Sequence, residues 1–345
     1  MRIAKSWLLC LCCVIVPAQA DWFPLPVRAD GELTEYRPLL RASQAWRICA
    51  LLPHGKDRYW WGVAWGLDGE ASRQGVRLGI YEAGGYENPQ VQVQQLHNCR
   101  GLGADAYVIA SINTGELCPE ISRLLAEGRP VIDLANGLDC KGLTVTAHSR
   151  VDFADMAREA LGYIEARRAP GAYRLGWLPG PQGAGWVRDA ERGLQQVVSA
   201  ADIRLAHGGY GPVDRSSQAR LVRRLLREQP HLDYLLGNAE AAGFAAQLVL
   251  GAGEHRGTQV LAFYVTERII EQIREGFILA APSDSPVHQA RIAIDFAVRA
   301  LERQPHPREV GPLIEMLDRD ALESFDISRL MPPEGHWMIR RDLPE

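Results

Sequence analysis

The 345-residue sequence has no G-x-S-x-G elbow, no G-x-x-x-x-G-K-[ST] loop and no G-x-G-x-x-G after its first apolar run. The serine-hydrolase, P-loop and dinucleotide-binding readings of such a chain therefore lack their machinery. The nearest phosphate-like loop, GPQGAG at 180–185, has no lysine and falls in the second half. Basic blocks are equally scarce: none is longer than the pairs Arg167-Arg168 and Arg223-Arg224, which argues against a nucleic-acid partner. After residue 20 there is no C-x-x-C, and no histidine recurs at ligand spacing, so neither a metal nor a cofactor is expected. No segment is low in complexity, and no repeat shorter than half the chain is visible.

Long hydrophobic runs are missing too. The longest opening run, 7–16, follows Arg2 and Lys5 and ends in Pro17-Ala18-Gln19-Ala20 before Asp21. That pattern predicts a secretory signal peptide over 1–20, cleaved after Ala20, and at half the length of a membrane span it predicts no membrane insertion. An extracytoplasmic location follows. Removing Arg2 and Lys5 from the formal charge of -4 leaves -6, and removing 20 residues from 345 leaves 325. That length exceeds one hydrophobic core and predicts two lobes.

Four cysteines remain after residue 20: Cys49, Cys99, Cys118 and Cys140. An even count in an oxidising compartment predicts disulfides, and four cysteines allow three connectivities. Cys49 falls on the first expected strand and Cys99 near the end of the second helix, while Cys118 and Cys140 follow the third and fourth strands. The pairing 49 with 99 and 118 with 140 is favoured.

From residue 46 short apolar runs alternate with amphipathic stretches. The runs at 46–53, 76–83, 106–111 and 130–137 are followed, after a helix at 151–168, by a second series at 173–180, 203–209, 234–239, 260–266 and 277–284. Helices are expected between them at 186–200, 214–228 and 240–250, and a last one at 287–302. Apolar runs alternating with helices imply parallel sheets covered on both faces. The fold class is α/β: two doubly wound lobes joined by a hinge of several crossings. The first lobe is expected over 21–147 plus about 284–317, the second over 148–283. Residues 21–43 and the C-terminal extension 318–345 show no clear period and are expected on the surface.

In open α/β sheets the ligand crevice lies beyond the carboxyl ends of the strands. The loops there hold Tyr59, Trp60, Trp61, Tyr86, Trp186, Tyr210 and Tyr264. Converging aromatic rings suit a methylated cationic nitrogen, and stacked rings also suit a sugar. Trp61 and Trp65, four apart on one helical face, are expected in the core.

The segments KDRYWWGVAWG (56–66), YEAGGY (81–86), LPGP (178–181), AFY (262–264) and SD (283–284) resemble the TorT family in order and spacing over about 46–301. Cys49 and Cys99 also resemble positions where that family carries cysteine. The resemblance implies a type I periplasmic-binding-protein fold, a cleft for trimethylamine N-oxide (TMAO) and a partner, the periplasmic domain of a TorS-like membrane histidine kinase. It implies no catalytic residue. Carried over by position, Tyr59, Trp60, Tyr86 and Tyr264 surround the amine oxide, with Asp57 and Asp284 as acidic positions of the same loops. Where the family tends to place tryptophan this chain has His148, which stacks with less π surface. Trp186 is expected to supply the missing face. The closest alternative is solute capture for an ABC-type transporter, with a small polar ligand such as a sugar.

Overall fold

The computed structural model describes residues 22–56, 58–138, 140–200, 202–251, 257–333 and 339–344. The expected signal peptide and Asp57 lie outside them.

The first lobe is built on strands β3 (Arg47–Leu52), β4 (Arg77–Glu82), β5 (Ala106–Ile109), β6 (Val131–Leu134) and β7 (Ala147–Ser149), all parallel. Buried continuously along their length, as in Ile48 to Leu52, they can sit only in a sheet covered on both faces. The cover comes from α1 (Arg58–Gln74), α2 (Pro89–Gly101), α3 (Thr114–Ala126) and α9 (Pro286–Leu301), the last of which packs along α1 and over β5, β6 and β7. Strands β13 (Glu309–Pro312), β1 (Leu25–Ala29) and β2 (Glu32–Tyr36) extend this sheet, giving the order β2-β1-β13-β7-β6-β5-β3-β4.

Residues 22–36 therefore do more than lie on the surface. They form an antiparallel hairpin on β13. Tyr36 donates to Asp295 Oδ2 at 2.5 Å, the Leu39 amide donates to Asp295 Oδ1, and Trp22 donates to Glu70. At the other edge, Arg341 bridges Ile80 and Leu343 is buried, so part of the C-terminal extension covers the backbone groups of β4.

The second lobe carries β8 (Tyr173–Leu178), β9 (Ile203–His207), β10 (Tyr234–Gly237) and β11 (Gln259–Ala262), parallel and ordered β11-β10-β8-β9. Helices α4 (Phe153–Glu165), α5 (Gly185–Ala200), α6 (Arg215–Glu228), α7 (Ala239–Gly251) and α8 (Glu267–Glu275) accompany it. Asp152 and Asp214 cap α4 and α6 by accepting from the amides of Ala154 and Ser217. A two-stranded antiparallel ribbon, β12 (Ala281–Ser283) with β14 (Glu315–Leu317), lies where the chain passes between lobes. The chain passes three times, after β7, after β12 and after β13.

Disulfides join Cys49 of β3 to Cys99 of α2 and Cys118 of α3 to Cys140 in the loop after β6, with Cα separations of 6.1 and 5.5 Å. Among the described residues no helix is long and apolar enough to cross a membrane, and no group of His, Cys, Asp or Glu could hold a metal ion.

Candidate ligand-binding site

Every residue that lines the cavity between the lobes sits at or just beyond the carboxyl end of a parallel strand. From the first lobe come His54 after β3, Tyr59 and Trp60 in the first turn of α1, Tyr86 after β4 and Asn136 after β6. The second lobe contributes Phe153 at the start of α4, Trp186 at the start of α5, Val213 ahead of α6 and Tyr264 after β11. Together they line a small cavity of about 30 Å³. All are buried except Tyr86, which is half-buried.

The rings support one another edge to face. Tyr59 stands against Trp60 at 5.1 Å and Tyr264 at 5.8 Å, and Tyr264 meets Trp186 at 6.1 Å. Trp186 stacks on Phe263, with its six-membered ring passing over Gly180. At Gly180 φ is +129° and an added Cβ would lie 2.8 Å from that ring, so glycine is required twice over. His54 packs edge-on to Trp60 and Tyr86.

Few polar groups face this space. Asn136 donates from Nδ2 to the Tyr86 hydroxyl and to the Ser111 carbonyl, both at 2.9 Å. Tyr59 donates to Asp284, which also accepts from Gln289. Burial pushes the Asp284 carboxyl up, while the bonds from Tyr59 and Gln289 pull the other way. Ala135 and Ser285, at φ +60° and +48°, are non-glycine residues in left-handed conformations, and they adjoin Asn136 and Asp284. Strain of this kind persists where the surrounding packing fixes a functional geometry.

The lobes touch at the rim. Gly185 lies against the Asn136 carbonyl so closely that an added Cβ would sit 2.6 Å from it, and Arg58 of α1 pairs with Glu267 of α8 at 2.8 Å.

Of the residues expected around a ligand, Tyr59, Trp60, Tyr86, Trp186 and Tyr264 line the cavity, and Asp284 stands behind Tyr59. His148 does not reach it. Strand β7 pairs with β6 so that His148 is beside Asp133, which directs the imidazole into a separate polar cleft where Nδ1 lies 2.8 Å from Asp133 Oδ2. Tyr210 also points away, donating to Glu191. Trp61 and Trp65 are half-buried, not core, under the guanidinium groups of Arg58 and Arg291. Sequence reasoning did not single out His54, Asn136, Phe153 or Val213. His54 and Asn136 fall in strand-end loops, which was the available signal; Phe153 and Val213 carried none.

With this geometry the comparison with known proteins is decisive. The family described as periplasmic binding protein domain matches residues 48–305. The chain belongs to the periplasmic binding protein family. Escherichia coli periplasmic protein TorT is 28% identical over 308 residues, 86% of this chain and 84% of that protein. A solved TorS sensor domain–TorT complex in the presence of TMAO matches with a TM-score of 0.74 and 27% identity, covering 85% of this chain and 98% of that one. An ABC transporter solute binding protein from Bradyrhizobium sp. BTAi1, solved with bound bis-tris, matches at TM-score 0.80 and 35% identity, covering 93% and 99%. The D-ribose/D-allose-binding protein of Pseudomonas aeruginosa is 24% identical over 62% of this chain and 68% of its own length. This periplasmic binding protein is thus TorT-like, has the type I fold and binds ligands instead of catalysing a reaction.

Proposed function

We propose that this periplasmic binding protein closes on TMAO or a related small methylated amine and reports occupancy to a membrane sensor histidine kinase, after export by a cleaved signal peptide at 1–20. The observation that carries this reading is the composition of the cavity wall: rings of Tyr59, Trp60, Tyr86, Phe153, Trp186 and Tyr264, with Asn136 and His54 the polar side chains besides the tyrosine hydroxyls. A methylated nitrogen presents a diffuse positive surface that aromatic faces hold at about 0.5–2 kcal/mol per ring. Its single oxide oxygen needs only one or two donors. A sugar would bury several hydroxyls here, each costing about 1–3 kcal/mol if left without a partner. Bis-tris, held by the Bradyrhizobium relative, combines a tertiary amine with five hydroxyls, so it is compatible with a substituted nitrogen and with a polyol alike.

Tyr59, Trp60, Tyr86, Trp186 and Tyr264 would contact the ligand, and Asp284 would hold Tyr59. A ligand touching both lobes favours closure by its differential affinity, and the partner reads the altered surface. That same Bradyrhizobium match supports a second reading, solute capture for a transporter. Calorimetry with TMAO, bis-tris and D-ribose separates the ligand classes: tight binding of ribose and none of the amines would overturn the proposal. Tagged protein and solubilised membranes of the source bacterium separate the roles, since a sensor co-purifies with a histidine kinase and a transport component with a permease.

A further inference from the structure

Helix α6 carries Arg215, Arg220, Arg223, Arg224 and Arg227 against a single acid, Glu228. The helix is thus +4 in a chain of -4, which leaves -8 on everything else. Spacings of three, four and seven place Arg220, Arg223, Arg224 and Arg227 on one face, and all five arginines are exposed. Among the described residues no carboxylate lies within ion-pair distance of any of them. Their contacts are with neutral groups: Arg220 with the Ser217 hydroxyl, Arg223 over the Phe244 ring and Arg224 with the Gly208 carbonyl.

Helices elsewhere in the chain are built differently. On α1, α3, α4, α5 and α9 an arginine is paired with an acid three or four residues earlier, as in Glu70 with Arg73, Glu120 with Arg123, Asp155 with Arg158, Asp189 with Arg192 and Asp295 with Arg299. Like charges at those spacings weaken a helix, so pairing within the helix does not account for the α6 pattern.

An open groove of about 530 Å³ runs along this face, lined by Leu221 and Tyr210 together with Arg220, Arg223, Arg224 and Arg227. Residues 210–212 form one wall, and the same loop continues to the aromatic cavity: Val213 lines that cavity, and Pro212, Val213 and Asp214 face Lys56, Tyr86 and Glu87 of the first lobe. The loop is tied to α6, since Gln218 donates to the carbonyls of Gly211 and Pro212 and Asp214 caps the helix. One short loop, held to α6, thus borders both the groove and the cavity between the lobes.

We infer that the arginine face of α6 and its groove form the docking surface for an acidic segment of this protein's signalling partner. The concavity and the apolar Leu221 and Tyr210 at its floor fit a protein segment better than a flat lipid surface. The inference rests on the signalling role proposed above, and the experiment separates the two. Binding to the periplasmic domain of the co-purifying kinase is measured for wild type, Arg220→Glu/Arg227→Glu and Arg220→Lys/Arg227→Lys, with thermal unfolding and ligand calorimetry as fold controls. Charge reversal should weaken binding at least tenfold while the lysine variant stays within about threefold. Wild-type affinity should also fall steeply between 50 and 300 mM NaCl. A charge-reversed variant within twofold of wild type overturns the inference. If no kinase co-purifies, the signalling role falls, and the face is tested with an immobilised 15-residue glutamate-rich peptide and with vesicles of 40% phosphatidylglycerol. Capture by the peptide, lost in the charge-reversed variant, supports an acidic protein segment. Capture by vesicles alone, or by neither, overturns it.

Discussion

Tyr59 donates its hydroxyl to Asp284 Oδ2 at 2.6 Å, joining the helix that opens the first-lobe wall of the cavity to the point where the chain returns from the second lobe. Removing the donor alone, in Tyr59→Phe, leaves the ring in place and takes a bond from a buried acid. The expected cost is about 1–3 kcal/mol of stability, with weaker TMAO binding because the ring is no longer held. The pH dependence has a definite sign. The folded pKa of Asp284 is raised, so its contribution to stability is complete below the ordinary aspartate value and is lost as pH rises through the raised one. Tyr59→Phe removes an interaction that lowers this pKa and should move the loss to higher pH. Urea unfolding from pH 4 to 8 checks this; superimposable profiles would exclude Asp284 as the group responsible.

Trp186 stacks on Phe263 and meets Tyr264 edge-on, so it both closes the cavity and packs the second lobe. Trp186→Ala should weaken TMAO binding at least tenfold and cost about 3–5 kcal/mol of stability. Trp186→Phe keeps a ring and should fall between. Unchanged TMAO affinity in a folded Trp186→Ala protein would remove Trp186 from the ligand site.

Much of this architecture was legible because parallel strands covered on both faces appear as bare apolar runs, and Ile48 to Leu52 or Val131 to Leu134 could be little else. The hairpin at 25–36 was not. Pro24 and Pro26 break its pattern, and what holds it is Asp295, which lies 259 residues from Tyr36 in sequence. The aromatic residues of the site could be found from their place at strand ends, whereas the direction of His148 depends on the register of β7 against Asp133, a long-range pairing that no local pattern encodes. Asn136 lines the cavity next to Ala135, whose left-handed conformation nothing in its residue type announces.

His148 bonds Asp133 in the polar cleft, apart from the aromatic cavity. His148→Ala should leave TMAO affinity within twofold of wild type. It should nevertheless lower stability by about 1–3 kcal/mol, because Asp133 is fully buried and its other side-chain partner, the Arg150 guanidinium, is 3.8 Å away. A large loss of affinity without a loss of stability would return His148 to the ligand site.

Gly185 and the Asn136 carbonyl can approach closely only because Gly185 has no side chain. Alanine suits the first turn of α5 better than glycine by intrinsic preference, so Gly185→Ala should not destabilise the second lobe. Its Cβ would instead hold the lobes apart, and a ligand that draws its affinity from closure should bind at least tenfold more weakly. Calorimetry gives the affinity, and small-angle scattering should show a smaller ligand-induced compaction than in wild type.

His288 on α9 is stacked on Trp22 and sits among Arg291, Arg329 and Asp326. Burial, reinforced by the two arginines and only partly opposed by Asp326, depresses its pKa to about 3. A depressed value means the imidazole is neutral in the folded protein while the unfolded chain takes up a proton near pH 6.5. Its contribution is therefore complete above that pH and is lost as pH falls toward 3. At pH 5 the loss from this one residue should be about 2 kcal/mol. In His288→Phe, which keeps an aromatic ring against Trp22 and cannot be charged, unfolding free energy between pH 7 and 5 should decline by that much less than in wild type. Equal declines in the two proteins would mean that His288 is already protonated, or readily so, in the folded state.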